Sequence, residues 1–325
     1  MMTDIAPARD IVELACRAPS VHNTQPWSFR VHGSDIDLFA DYKRQLVYAD
    51  PSRRDLMVSC GAALHHVQVA AAALGWSARV HRLPDASDER HVASIHLTRA
   101  RVPSTDTGVL ETIAARRTDR RRTSSWPVPE DRLNRLASIG ISWGAQVLPV
   151  TADMSKAQLH RLTARAATIQ QRNPRYIEEL DGWTRSSGGA GVPRDHVPER
   201  TAPGAGSDSP HERFPGGTLP DPVLETEPSE DAMMIVCTSS DDAISRVRAG
   251  EAMSAVWLQA TTENLSVTPL SQAVEVEETR HTLQSDVLGG LAYPQILLRV
   301  GWLPMVRDQL PPTPRRPLDE VMTGS

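Results

Sequence analysis

Between Pro19 and Pro26 the chain sets Ser20, His22, Asn23 and Gln25 among Val21, Thr24 and little else. These four side chains can donate and accept hydrogen bonds at short range. Proline fixes φ at both ends of the stretch, and Trp27, Phe29 and Val31 follow at strand spacing. The result is a short, stiffened loop crowded with polar groups at the entry of a strand. Two readings fit it. Such a loop can grip the polar edge of a ligand, or it can satisfy its own backbone, as Ser and Asn often do.

A second concentration is Arg116-Arg117-Thr118-Asp119-Arg120-Arg121-Arg122. Guanidinium forks bind phosphate and carboxylate bidentately. The same run also suits the solvated end of a helix through Val109, Leu110, Ile113 and Ala114, where positive charge complements the helix dipole. A nucleic-acid patch is a third reading, but no interleaved aromatics offer bases a stacking platform. Another basic pair, Arg315-Arg316, stands in the proline-rich stretch Pro311–Leu318. By composition alone that stretch reads as a loose terminus, although the strand-like Tyr293–Trp302 before it argues for a held tail.

Taken together, these segments resemble the nitroreductase superfamily. Pro19-Ser20-x-x-Asn23-x-Gln25-Pro26-Trp27 is similar to the motif whose serine and asparagine side chains reach an FMN held mainly by the partner subunit of a dimer. With Val21, His22 and Thr24 the match is closer to the Acg-type group of actinobacterial proteins, which fuse two nitroreductase-like halves in one chain. Arg116-Arg117-Thr118-Asp119-Arg120 resembles the family's Arg-Arg-Ser-x-Arg/Lys motif. The resemblance implies FMN contacts from Arg116, Arg117 and Thr118, with Arg116 and Thr118 on the phosphate, and places Arg120 at the flavin N1/O2 edge. It likewise implies contacts from Ser20, His22, Asn23 and Gln25. Arg315 and Arg316 match a basic pair that closes on the phosphate, beside Thr313, and Leu265–Ser271 matches a stretch running past the flavin, which brings in Thr268, Pro269, Leu270 and Ser271.

The Ser/Asn loop occurs only in the first half and the Arg-Arg-Thr-x-Arg motif only in the second. One FMN site per chain, built across the junction, is therefore expected, with NAD(P)H as possible electron donor and nitroaromatics or quinones as acceptors. No catalytic side chain is implied, because in this family the flavin performs the chemistry. A monomer is expected over a homodimer, since fused halves supply their own interface.

The elements that must position these residues read as an α+β fold: two pseudo-symmetric halves, 1–105 and 106–325, each a mixed, largely antiparallel sheet flanked by helices. Helices are expected at Ala8–Arg17, Leu56–Leu74, from Val109, at Pro129–Ile139, Lys156–Ile169 and Ile244–Thr261. Strands are expected at 27–31, 36–40, Ala78–Leu83, His91–Leu97, Gln146–Val150, Met233–Cys237 and Gln295–Val300. A linker runs through Pro103–Gly108, with Asp106 or Thr107 as a helix cap. Gly61-x-Ala63-Leu64-x-x-Val67 echoes Gly250-x-Ala252-Met253-x-x-Val256, as a duplicated helix would.

Thr184–Asp221 is dense in Pro, Gly and Ser and has no periodicity. It far exceeds a usual connection of about 4–6 residues. A lid over the flavin is the expectation, and a closed lid supports an alternative role, storage or sequestration of FMN without turnover.

Other signals set bounds. Net charge is −5, which argues against a nucleic-acid partner, and of 35 basic residues only Lys43 and Lys156 are lysine. Cys16, Cys60 and Cys237 form no paired pattern and fit reduced thiols in the cytoplasm. The first residues lack a signal-peptide pattern, and the apolar stretch Ala62–Leu74, interrupted by His65, His66 and Gln68, reads as too short and polar to span a membrane. His65, His66, His91 and His96 have no metal-site spacing. Gly188–Gly191 follows no strand, so it is no dinucleotide fingerprint.

Overall fold

Trp27, Phe29 and Val31 pair with Ala40, Leu38 and Ile36 across an antiparallel hairpin of β1 (Trp27–His32) and β2 (Asp35–Ala40). Gly33 takes the positive φ (+59°) that so tight a turn needs. The computed structural model describes residues 7–100, 108–185, 189–199, 214–221, 231–303 and 309–323. The expected half boundary near 105, most of the linker and both candidate caps lie outside the described residues.

The elements run in a repeated order. Helix α1 (Ala8–Ala15) precedes the hairpin, α2 (Arg54–Ala73) follows it, and β3 (Trp76–Arg82) and β4 (His91–Arg99) complete a first sheet ordered β3-β4-β2-β1. After α3 (Val109–Ala115), the second series opens with α4 (Glu130–Ser142) and β5 (Gln146–Val150). Helices α5 (Asp153–Gln170) and α6 (Pro174–Arg185) intervene before β6 (Ala232–Thr238), α7 (Ala243–Thr262) and β7 (Leu265–Leu270). Short α8 (Gln272–Glu275) and α9 (Glu277–Thr282) lead to β8 (Tyr293–Trp302). The second sheet is ordered β7-β8-β6-β5, all antiparallel, which is the order of the first with each strand replaced by its counterpart.

Helices α2 and α7 are each 20 residues long and cross at the echoed glycines. A Cβ on Gly61 would stand 2.0 Å from the Val247 carbonyl oxygen, and one on Gly250 the same distance from that of Val58. Only glycine allows backbones so close. Helix α2 starts two residues earlier than its apolar pattern indicates and is long and apolar enough to cross a membrane, contrary to the reading of Ala62–Leu74 as too short. Most of its residues are buried inside the protein, which makes it the core helix.

The tail crosses from the second sheet to the first. Helix α10 (Leu318–Val321) and β9 (Met322–Thr323) return to the first sheet, where β9 lies parallel to β1. An edge strand of unpaired amides and carbonyls is thereby covered. Leu265–Leu270, read from sequence only as a stretch beside a ligand, forms an edge strand of the second sheet, paired along its whole length with β8.

Helix α6 has no counterpart in the sequence reading, although its signals are present. Asn173 Oδ1 accepts the Arg175 N–H (3.1 Å) ahead of Pro174 in the first turn. Tyr176 and Leu180, four residues apart, join Leu46, Ala49, Val192, Val197 and Phe214 in a small separate core.

Candidate functional site

The polar loop, the basic run and the tail, far apart in sequence, meet at one cavity of about 760 Å³, its open mouth included. Ser20, His22 and Asn23 reach its wall from the loop, Arg116, Thr118 and Arg120 from the basic run, Pro269 and Ser271 from the end of β7, and Thr313 and Arg315 from the tail.

The other five expected contacts stand behind that wall. Gln25 is fully buried; its Nε2 donates to the Gly189 carbonyl (2.6 Å) and its Oε1 accepts the Arg316 N–H (2.9 Å). The Arg316 guanidinium donates to the carbonyls of Gln25 and Trp27 (3.2 and 3.3 Å). Arg117 donates to the carbonyls of Ala114, Arg116 and Leu310 and so closes the end of α3. Thr268 donates to the Asp119 carbonyl (2.8 Å), and Leu270 is packed in the core beneath the second sheet. These residues hold the wall in place from outside the cavity.

The loop is held in an unusual backbone shape. His22, Asn23 and Gln25 have φ of +44°, +53° and +49°, a region that costs about 1–3 kcal/mol per residue unless the surroundings enforce it. Here they do. Ser20 Oγ accepts the Gln25 N–H (2.9 Å) and Ser59 Oγ that of Val21 (3.0 Å). The Asn23 amide donates to the carbonyls of Gly191 (2.9 Å) and Pro314 (3.1 Å), and its oxygen accepts from Arg315 Nη1 (3.1 Å). Asn23 thus ties the loop both to the 189–191 segment and to the tail.

Two arginines of the wall differ in kind. Arg315 donates to the carbonyls of Cys16 (2.9 Å), Arg17 (3.1 Å) and Ala18 (3.4 Å), clamping the tail on the end of α1. Burial, with Arg17 and Arg117 adding repulsion, lowers its pKa to about 10. Arg116 is 5% exposed and makes one hydrogen bond, Nη2 to the Arg17 carbonyl (3.3 Å); its Nε and Nη1 have no partner. Its guanidinium lies 4.5 Å from the centre of the Trp257 ring. Burial, then Arg315 and Arg117, push its pKa well down. A guanidinium keeps its proton in proteins, so the push measures how unfavourable a dry cation is among other cations. An anion in the cavity would relieve it.

Several wall residues carry no sequence signal of a site. Val58 of α2 and Met253 and Trp257 of α7 line the cavity, but both helices are apolar nearly all round, so no face announces a ligand. Asp55 and Ser59 also line it from α2, and Val192, Pro193 and His196 from the 189–199 segment. Burial lowers the His196 pKa, which keeps the ring neutral at neutral pH. The Phe214 ring meets His22 edge-on at 5.1 Å and lies 4.8 Å from the Arg120 guanidinium. Both described pieces of the Thr184–Asp221 stretch therefore lie at the cavity. They also pair with each other, through Glu199 N–H to the Leu219 carbonyl (2.8 Å). Among the described residues no group of three or more His, Cys, Asp or Glu is placed to hold a metal.

No protein-family model matches the chain. Full-length relatives do. "Putative NAD(P)H nitroreductase Rv3131" of Mycobacterium tuberculosis is 40% identical over 323 residues, covering 98% of this chain and 92% of the relative. "Putative NAD(P)H nitroreductase acg" of the same organism is 32% identical, covering 96% and 94%. The chain belongs to the nitroreductase family, in its Acg-type group. Solved structures with a likeness include a nitroreductase with bound FMN from Bacteroides fragilis, at 15% identity and a TM-score of 0.39 over 62% of this chain and 92% of that one. Iodotyrosine deiodinase bound to FMN and 3-iodo-L-tyrosine has the same identity and TM-score, over 62% and 94%. These likenesses are too distant to assign chemistry.

For a nitroreductase-family chain the wall is lopsided. Its cations Arg116, Arg120 and Arg315 come from residues after 105, whereas the polar loop comes from before it. The three cysteines take no part; all are buried, and burial raises the thiols of Cys16 and Cys237 to about 11.

Proposed function

We propose that this chain is a flavoprotein with one FMN site, an NAD(P)H-dependent oxidoreductase for nitroaromatics or quinones. The observation that carries this is Arg116, a dry guanidinium with two unpartnered N–H-bearing nitrogens at a cavity walled by Val58, Met253, Trp257 and Ile296. Such a site suits an anionic group joined to a flat apolar body. Membership in a family whose relatives are named NAD(P)H nitroreductases points the same way.

In this reading Arg116, Thr118 and Arg315 hold the phosphate, and Arg120 lies at the N1/O2 edge of the ring. The flavin, when bound, supplies the electron transfer between nicotinamide and acceptor. The chain supplies orientation, a cation beside the ring and a cover that excludes water. The interface between α2 and α7 lies within one chain, which supports a monomer over a homodimer, and light scattering would check it.

A second reading, storage or sequestration of FMN, is favoured by how firmly the cover is tied. Gly191 N–H donates to the Asn23 carbonyl (3.2 Å) while the Asn23 amide donates back. Gln25 holds Gly189 as well. A cover that stays shut keeps nicotinamide from stacking on the ring. Anaerobic mixing of the loaded protein with NADPH or NADH separates the readings: rapid bleaching of the flavin band supports turnover, and persistence of oxidised flavin supports storage. Titration should give about one FMN per chain, from the single set of ligands. A colourless protein that fails to quench added FMN would sink both readings, and a ratio near two would sink the single site.

A further inference from the structure

A buried carboxyl faces the same cavity and has no task in the reading above. Asp55, in the first turn of α2, is 3% exposed and lines the wall; no N–H or hydroxyl of the described residues donates to its oxygens, and the group it meets by hydrogen bond is the Glu275 carboxyl. Across from it Glu275, at the end of α8, has its oxygens engaged by Ser271 Oγ (2.5 Å) and Gln170 Nε2 (2.5 Å). The charged or titratable groups that act on Asp55 are Glu275, His22 of the loop, Arg54 on its own helix and Asp50 just before that helix. Arg54 is drawn away, to Asp241, the Pro294 carbonyl and Gln295. Burial first, and Glu275 second, raise the Asp55 pKa well above the usual carboxylate range. Asp55 is then a neutral acid with an O–H donor and a C=O acceptor side by side; Glu275 lies within reach of that O–H, and a ligand carbonyl at the wall competes with it for the proton.

The cations stand on a different part of the wall. Arg116 and Arg315 donate to carbonyls of residues 16–18 at the end of α1. Asp55 instead sits by α8, together with wall residue Ser271. An occupant with a phosphate for the arginines needs a different group at Asp55, one carrying an acceptor and an N–H next to each other.

We propose that Asp55 is a specificity-determining residue that pairs with the lactam edge of the ring: its O–H donates to a ring carbonyl and its C=O accepts the adjacent ring N–H. The inference rests on the flavin reading, since the pyrimidine edge of isoalloxazine has this –C(=O)–NH– sequence. It also couples ring binding to a proton. Ionised Asp55 loses its donor, so affinity falls as pH rises through its titration.

Fluorescence titrations of the full chain with FMN and with riboflavin, from about pH 6 to about pH 9, test it by linkage. Riboflavin keeps the ring edge and lacks the phosphate. Asp55→Ala should weaken both flavins about tenfold or more at the acid end, as loss of a buried hydrogen-bonded pair does. Asp55→Asn, whose amide offers the same donor and acceptor without a charge, should bind within about threefold of the parent and lose the fall at high pH. Arg116→Ala should weaken FMN and leave riboflavin nearly unchanged. Parental affinity in Asp55→Ala, or an undiminished pH fall in Asp55→Asn, overturns the inference while the flavin reading stands. If Asp55→Ala does not fold, the Asp55→Asn profile decides alone. Failure of the parent protein to bind either flavin at any pH removes the flavin reading and this inference with it.

Discussion

The turn between β1 and β2 and the stretch between β5 and β6 occupy the same place in two sheets of matching order. In the first half the connection is Gly33-Ser34; in the second it carries α5, α6 and the segments 189–199 and 214–221. The surrounding frame is alike: two strands, a buried 20-residue helix, two more strands. The turns after the helices even share a left-handed residue, Gly75 at +83° and Asn264 at +60°. A duplicated frame by itself would offer two equivalent sites. The additions fall on one side, so the segment 189–199 and the cations Arg116, Arg120 and Arg315 gather at one cavity, to which the first half contributes the loop and the start of α2.

The frame should be where substitution does most harm. Gly61→Ala or Gly250→Ala puts a methyl 2.0 Å from a carbonyl oxygen of the opposing helix, which is backbone and cannot rotate away. Each should destabilise by about 3 kcal/mol or more, read as a lower denaturant midpoint. Similar losses from both would mark the crossing as symmetric in energy as well as shape; a loss from only one would break that equivalence. Arg116→Ala tests the asymmetric part. Removal of a charge-assisted contact should weaken FMN binding by about 1.5–3 kcal/mol, and unchanged affinity would take Arg116 out of the phosphate site.

The pH dependence of stability sets buried histidines against buried carboxyls. His65 and His66 of α2 are buried; burial lowers His65 to about 3 and His66 well below 6.5, and His196 of the cover is lowered too. Below about 6.5 the unfolded chain takes up protons that the folded one refuses, so stability falls toward acid. Asp50 is raised to about 8 and Asp55 is raised as well, both chiefly by burial. There the folded state holds the extra protons above the unfolded carboxyl pKa, so stability falls as pH rises toward about 8. Melting temperature should therefore peak near pH 6.5, each group adding a slope of up to about 1.4 kcal/mol per pH unit within its window. Asp55→Asn should flatten the alkaline arm. An alkaline arm that stays as steep would show Asp55 ionised in the folded state.

The join between cover and frame should respond more mildly. Glu179 of α6 accepts the backbone N–H groups of Val47 (2.6 Å), Tyr48 (3.1 Å) and Ala49 (3.0 Å). Glu179→Ala leaves these donors near water, so the loss should be about 1 kcal/mol. Hydrogen exchange should quicken in 189–199 and 214–221 while β1 and β2 stay protected. Uniform quickening would mean that the cover and the first sheet open as one unit.

How much of this was legible follows the same division. Alternating Trp27, Phe29 and Val31 announced the hairpin, and the echo around Gly61 and Gly250 announced the paired helices, because each pattern reflects one buried face or one close contact. The polar loop and Arg116 were legible as chemistry, and ten of the fifteen side chains expected at the site do reach one wall. Gln25 and Arg316 were not separable from the residues of the wall, since a residue that braces a polar loop looks in sequence like one that lines a cavity. Val58, Met253 and Trp257 were hidden by helices buried on every side. Asp55 was hidden because a carboxyl in a first helical turn ordinarily serves the helix dipole. The return of β9 to the first sheet depends on an edge left open far away, which no local pattern records.

The mildest effect belongs to Gly182, and it bears on whether the insertion is tuned or merely accommodated. This glycine lies within α6, is exposed, and has nothing within 4 Å of the place a methyl would take. Gly182→Ala meets no neighbour, unlike the same change at Gly61. It removes only the flexibility that glycine gives the unfolded chain, so α6 should gain about 0.5–1 kcal/mol. Thermal melting reads the gain, and flavin bleaching by NADPH reads its consequence. If α6 must loosen for the cover to open, a stiffer helix should slow bleaching in the variant. Equal rates with a higher melting temperature would mean that α6 is a fixed strut and that opening, where it occurs, involves the segments tied to Asn23 and Gln25 instead.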